Sequence, residues 1–105
     1  MATLGVHTDE GPDAVCVSLE GELDLSNVLH VEEEIRRVEK RRPSLVLDLR
    51  RLRFIDSTGL RVIVSAHQRA RNQGRRLKIV QGGDAVKRLF RLSGLERRFE
   101  FVEDF

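Results

Sequence analysis

Two short, largely apolar runs, Leu45-Val46-Leu47-Asp48-Leu49 and Leu77-Lys78-Ile79-Val80, bracket a stretch with helical periodicity that begins near Ser57 and is closed by Gly74. Runs of this length and polarity read as strands buried on both faces. A strand, a helix and a second strand in that order form a βαβ unit, which requires parallel pairing and a right-handed crossover. This one feature restricts the chain to an α/β fold, a mixed and mostly parallel sheet with helices packed against it.

The flanking sequence extends the pattern. Val6, Val15, Val17 and Leu19 lie in two short strand-like stretches separated by Asp9-Glu10-Gly11-Pro12-Asp13, a dense group of turn formers that implies an opening hairpin. After Gly21-Glu22-Leu23-Asp24-Leu25, either Ser26 or Asn27 is placed to cap a first helix carrying Val28, Val31, Ile35 and Val38 at helical spacing. Glu32 and Glu33 stand four residues before Arg36 and Arg37, so two i,i+4 pairs are expected. Asp84 is placed to cap a third helix bearing Val86, Leu89, Phe90 and Leu92 and ending at Ser93-Gly94. Phe99, Phe101 and Val102 then suit a last edge strand.

The 105 residues are one domain's worth, and 40% hydrophobic content supplies a single core. We expect one domain over 1–105. Nineteen basic against seventeen acidic residues leave a net charge of +2, with the arginines scattered in pairs and few aromatics beside them, which does not call for a nucleic-acid partner. No apolar run approaches the ~20 residues of a membrane span, and the N-terminus has no apolar signal segment, so the expectation is a cytoplasmic protein with no membrane partner. The single cysteine, Cys16, lies within the apolar stretch Val15–Leu19 and reads as a small buried hydrophobe.

The segment with chemical interest is Phe54-Ile55-Asp56-Ser57-Thr58-Gly59-Leu60, where an apolar lead-in meets the start of the central helix. Asp56 is a good N-cap, so Ser57 falls in the first turn, where backbone N–H groups are free and the helix dipole is positive. Gly59 lowers helix propensity by roughly 1 kcal/mol against alanine and would let another backbone approach. Steps of about 3.6 residues put Ser57, Arg61, Ser65, Gln68 and Asn72 on one polar stripe facing solvent. Leu60, Ile63, Val64 and Ala70 take the opposite side, with Val62 and Ala66 at its margins. His67 falls beside the apolar side and reads as a packed core-edge histidine.

An enzymatic role for Ser57 finds no support. The nucleophile-elbow pattern Gly-x-Ser-x-Gly is absent, since Ile55 stands two residues before the serine. The three histidines, His7, His30 and His67, show no triad or metal-ligand spacing. Gly82-Gly83-Asp84 lacks the surroundings of a phosphate loop and reads as a tight turn with a cap. Taken alone, Asp56-Ser57-Thr58-Gly59 is also what an N-cap followed by small helix starters looks like. The residues thus predict a non-enzyme with no metal and no cofactor.

Four segments, in order, resemble the STAS domain, and in particular its stand-alone bacterial anti-sigma factor antagonists. Gly21–Leu25 is similar to the family's turn into its first helix, and Leu45–Leu49 to its strand before the switch. Phe54–Leu60 resembles its phosphorylation segment, and Val86–Leu95 its late helix. The resemblance implies a partner switch in which the unmodified protein binds an anti-sigma factor, often itself a serine kinase, and so frees a sigma factor. The kinase then modifies the serine after the aspartate, here Ser57, and a serine/threonine phosphatase restores the binding form. ATP and metal belong to those partners. The implied partner surface comprises Asp56, Ser57, Thr58, Gly59, Arg61, Ser65, Gln68 and Asp24, on a chain that is monomeric when alone. Thr58 adds a second hydroxyl beside Ser57, and Arg61 a bulky cation one turn on. A non-enzymatic subunit of a stressosome-like or lipid-transport complex is the alternative role within the same family.

Overall fold

The computed structural model describes residues 3–105. Eight elements follow one another: β1 (Leu4–Glu10), β2 (Ala14–Leu23), α1 (Val28–Val38), β3 (Ser44–Ile55), α2 (Ser57–Asn72), β4 (Arg76–Val80), α3 (Asp84–Leu92) and β5 (Glu100–Val102). The five strands form one sheet in the order β1-β2-β3-β4-β5. The opening hairpin is antiparallel, from Leu4↔Gly21 to Glu10↔Val15, and every later neighbour pair is parallel. The α/β class, the mixed and mostly parallel sheet and the edge position of the last strand are therefore as expected from the sequence.

Alternation sorts the strand residues between two unlike faces. Val15, Val17 and Leu19 of β2, Leu45, Leu47 and Leu49 of β3, and Leu77 and Ile79 of β4 share one core with Val31 and Ile35 of α1, Ile63 and Ala66 of α2, and Val86 and Phe90 of α3. All three helices thus lie on one face. The other face holds a small second cluster, Cys16, Val46 and Val80, flanked by Ala14 and Val102. Cys16 is buried as expected, and burial first of all pushes its thiol pKa up.

The structure corrects several local expectations. β3 does not end near Leu49 but runs on through Arg50, Arg51 and Arg53 to Ile55. Its register against β2 shifts between Ser18 and Glu20 and again between Gly21 and Glu22. Leu49, Leu52 and Ile55 are consequently buried at intervals of three, which hides the strand from a search for period two. Gly21 sits in this irregular stretch at φ +107°, where a Cβ would overlap the carbonyl oxygen of Thr3.

Asn27 does not cap α1 with its side chain, and neither does Ser26. The Asn27 Oδ1 accepts from Asp24 N–H at 3.0 Å and its Nδ2 donates to the Glu22 carbonyl at 2.9 Å, bracing the turn instead. Asp84 is the first residue of α3 rather than its cap, a place taken by Gly83 without a side-chain bond. Leu92, expected on the apolar side of α3, is 70% exposed, because it lies roughly 120–160° around the helix from the buried Val86 and Phe90. Arg36 pairs with Glu32 at i,i+4, but Arg37 chooses Glu34 at i,i+3, where the carboxylate also accepts from the Thr8 hydroxyl of β1. These partners hold the Glu34 carboxyl at about 2, the Arg37 bond being the largest cause.

Two helix ends close as the glycines imply. Gly74 (φ +69°) and Gly94 (φ +74°) adopt the left-handed conformation, with Arg75 N–H donating to Ala70 O at 2.8 Å and Leu95 N–H to Phe90 O at 3.1 Å. One clamp was not foreseen. Glu39, 4% exposed, accepts from Arg69 Nε and Nη2 at 3.0 to 3.1 Å, and Arg75 Nη1 donates to the Glu39 carbonyl at 2.6 Å, tying α1 to the last turn of α2. Neither sequence neighbourhood signals this pair, because its members are 30 residues apart.

Candidate functional site

The junction of β3 and α2 is organised by one carboxylate. Asp56 is extended (φ −100°, ψ −177°), and its Oδ1 accepts from the backbone N–H groups of Thr58 and Gly59, both at 3.0 Å. The same oxygen accepts from the Thr58 hydroxyl at 2.5 Å, while Oδ2 accepts from Leu25 N–H at 3.2 Å. The Asp56 N–H donates in turn to the Leu23 carbonyl at 3.1 Å. Burial alone would raise the Asp56 carboxyl pKa, but the bonds from Thr58, Gly59 and Leu25 outweigh it and hold the group below the ordinary aspartate value. The N-cap read from the sequence is present, and it also reaches across to the β2–α1 turn.

That turn is ordered by a second aspartate. Asp24 Oδ1 accepts from Ser26 N–H at 2.9 Å and Ser26 Oγ at 2.6 Å, and the Asp24 carbonyl accepts from Asn27 and Val28 N–H groups. Asp24 and Asp56 therefore hold two adjoining loops that meet at the Leu25–Asp56 bond. Asp24 and Asp56 are distant in sequence, and the pairing of β2 with β3, with Leu23 beside Ile55, brings them together on the surface that the family resemblance implies.

The residues of the first turn of α2 differ sharply in access. Ser57 is exposed, Thr58 is half-buried with its hydroxyl committed to Asp56, and Gly59 is buried. A Cβ on Gly59 would lie 2.7 Å from Leu23 Cγ and 3.0 Å from Ile55 Cγ1. What approaches Gly59 is thus the side-chain core of the sheet, in place of the backbone expected from sequence. Beyond the first turn, Arg61, Ser65, Gln68 and Asn72 are all exposed, which bears out the polar stripe, and Arg61 lies one turn from Ser57 on the same side. Leu60, Val62, Ile63, Ala66 and Ala70 are buried, with Val64 half-buried, so the apolar side is centred slightly further toward Val62 and Ala66 than expected.

Three exposed apolar side chains adjoin these loops and escaped the sequence reading: Leu25 (73% exposed), Leu29 (69%) and Phe54 (47%). Leu25 is bonded through its backbone to Asp56, and Phe54 stands two residues before it. A signal was available, since Leu29 lies off the Val28, Val31, Ile35, Val38 stripe and Leu25 sits in the turn before the helix. Chemically, the junction presents one free hydroxyl at a positive helix end beside an apolar rim. Among the described residues no group of three or more His, Cys, Asp or Glu side chains converges as metal ligands would. Among the described residues no helix is long and apolar enough to cross a membrane.

Residues 6–105 match the STAS domain family model. The chain belongs to the STAS domain family. It is similar to the anti-sigma-F factor antagonist RsfB of Mycobacterium tuberculosis, 31% identical over 84 residues that span 79% of this chain and 68% of that protein. It is 26% identical to the anti-sigma-B factor antagonist of Bacillus subtilis over 93 residues, 89% of this chain and 85% of the other. The crystal structure of an anti-sigma factor antagonist from Mycobacterium paratuberculosis shares the fold with a TM-score of 0.88 at 24% identity, covering 98% of this chain and 88% of that one. The anti-sigma factor antagonist SpoIIAA in its unphosphorylated form gives a TM-score of 0.79 at 20% identity over 93% of this chain and 88% of that one.

Proposed function

We propose that the protein is an anti-sigma factor antagonist, a cytoplasmic non-enzyme that binds an anti-sigma factor while Ser57 is unmodified and is released when that factor, acting as a serine kinase, phosphorylates it. A serine/threonine phosphatase would reset the switch. The observation that carries the reading is the contrast between two adjacent hydroxyls: Ser57 is exposed at the helix start, and the Thr58 hydroxyl is spent on Asp56. The antagonist role of the relatives from Mycobacterium tuberculosis and Bacillus subtilis supports the same class of partner.

The physical chemistry of the switch follows from position. A phosphate of about −1.5 to −2 charges at a helix N-terminus meets a favourable dipole, although Asp56 already takes the Thr58 and Gly59 N–H groups, and on an exposed side chain it displaces no core packing, so the fold tolerates it. Arg61, one turn on, is placed to add a charge-assisted contact. A docked partner would cover Leu25 and Leu29 together with Asp24, Asp56, Thr58, Ser65 and Gln68, with Gly59 setting how closely the turn lies on the core. A dianion within that contact must be desolvated as the partner docks. Alone, the chain is expected to be monomeric, with a one-to-one complex forming on this surface.

The test is binding to the cognate anti-sigma factor by calorimetry, with and without ATP. Phosphorylation at Ser57 should weaken binding about a hundredfold or more, roughly 2.7 kcal/mol or above. Ser57→Ala should bind equally in both conditions, Ser57→Asp should bind weakly, and Thr58→Ala should still be phosphorylated. Uptake of phosphate by Ser57→Ala, followed by release like the parent, would overturn the assignment of Ser57.

A further inference from the structure

The far end of α2 carries a second concavity, which shares only Gln68 with the proposed partner surface. A cavity of about 280 Å3 is lined by Val64, His67, Gln68, Arg71, Leu95, Arg98 and Phe99 together with Asn72. It adjoins a depression of about 360 Å3 that shares His67, Arg71, Arg98 and Phe99 and adds Arg75, Arg76 and Glu100. His67 lies ten residues along the helix from Ser57, about 15 Å at 1.5 Å per residue.

The chemistry of the lining is lopsided. Val64, Leu95 and Phe99 supply an apolar floor, and Phe99 meets the His67 ring edge-on at a centroid distance of 4.8 Å. Two guanidinium groups and an imidazole border it. Of the cations nearby, Arg69 is taken by Glu39 and Arg76 by Glu100, whereas Arg71 and Arg98 enter no ion pair among the described residues. Glu100, the one carboxylate bordering either hollow, is thus already neutralised. Arg75 is turned to the Glu39 carbonyl and Gln73. Two unpaired guanidinium groups beside an imidazole make the local potential positive, which favours an anion there.

We propose that this notch is an anion site that takes a phosphate group, held by Arg71 and Arg98 with the His67 imidazole as a further donor. Guanidinium forks suit the oxygens of a tetrahedral oxyanion, and the volume lies at the small end of ligand pockets, which run from ~300 Å3 upward. The apolar floor gives an organic phosphate ester a surface for its body, while free phosphate would use the cationic rim alone. Burial first, then the charges of Arg71 and Arg98, hold the His67 imidazole below its ordinary value. A bound dianion reverses the charge part of that effect, so occupancy and protonation of His67 reinforce each other.

The experiment is a pH titration of the three histidine imidazoles by NMR at constant ionic strength, in chloride, in inorganic phosphate and in AMP. Saturating phosphate should raise the His67 midpoint by about one unit while leaving His7 and His30 in place. Arg71→Gln and Arg98→Gln, both exposed and outside the core, should each weaken the response about tenfold in phosphate concentration. Saturation by AMP at lower concentration than by inorganic phosphate identifies an ester as the natural ligand, and equal saturation identifies free phosphate. A His67 midpoint that moves no further than those of His7 and His30, or a response undiminished in both arginine variants, overturns the proposal.

Discussion

The β3–α2 and β4–α3 junctions occupy equivalent places, each where a parallel strand of this sheet hands over to a helix on the same face. At the first, Asp56 gathers four hydrogen bonds, and Gly59 is wedged against Leu23 and Ile55. At the second, Gly83 starts the helix with no side-chain cap, and Asp84 is exposed. Tight packing is not what separates them, because a Cβ on Gly82 would lie 2.7 Å from the Leu49 carbonyl oxygen. The difference is a polar network that fixes the first turn of α2 to the β2–α1 loop. Topology is indifferent to that network, which joins the β2–α1 and β3–α2 junctions and leaves the β4–α3 junction out.

The comparison is broken most severely by Asp56→Ala. The variant loses the N-cap, frees the Thr58 hydroxyl and unties Leu25, and should be destabilised by about 2 kcal/mol, the upper end for a lost cap. At roughly 4–8 °C per kcal/mol for a domain of this size, calorimetry should show a Tm lowered by about 8–16 °C. Gly59→Ala comes next. Its methyl group must displace Leu23 and Ile55, an overpacking cost of about 1–3 kcal/mol that the gain of roughly 1 kcal/mol in helix propensity only partly offsets. Urea unfolding should therefore show a net loss of about 1 kcal/mol, where a propensity effect alone would give a gain.

Acid sharpens the contrast further. The folded Asp56 pKa is depressed, so its contribution is present above the ordinary aspartate value and is lost as pH falls through the lower folded value. Glu34 acts with the same sign, its contribution fading from about 4.5 down to about 2. Asp56→Asn should accordingly lose less stability than the parent between about pH 5 and pH 2, measured by denaturant titration at each pH. The smallest effect is expected for Asp84→Ala, within about 0.5 kcal/mol of the parent in the same urea assay, since that side chain is exposed and makes no cap.

Much of this molecule is written in its local pattern. The ends of α2 at Ser57 and Asn72, the cap at Asp56, the closing Gly74, the order of strands and helices, and the burial of Cys16 follow from period, cap chemistry and glycine placement. Those signals act over one or two turns of chain, within reach of a single-sequence reading. The polar stripe Ser57, Arg61, Ser65, Gln68 is legible for the same reason. β3 beyond Leu49 was not, because a register shift against β2 replaced alternation by a spacing of three and placed arginines within the strand. The tether from Asp56 to Leu25, the wedge of Gly59 against Leu23, the clamp between Glu39 and Arg69, and the meeting of His67 with Arg98 were decided only by the tertiary structure. Each joins residues about 30 or more positions apart, and such contacts depend on which strands pair and which face a helix covers. Local propensity carries no record of either, since the same cap and the same apolar stripe would serve any sheet order that buries them.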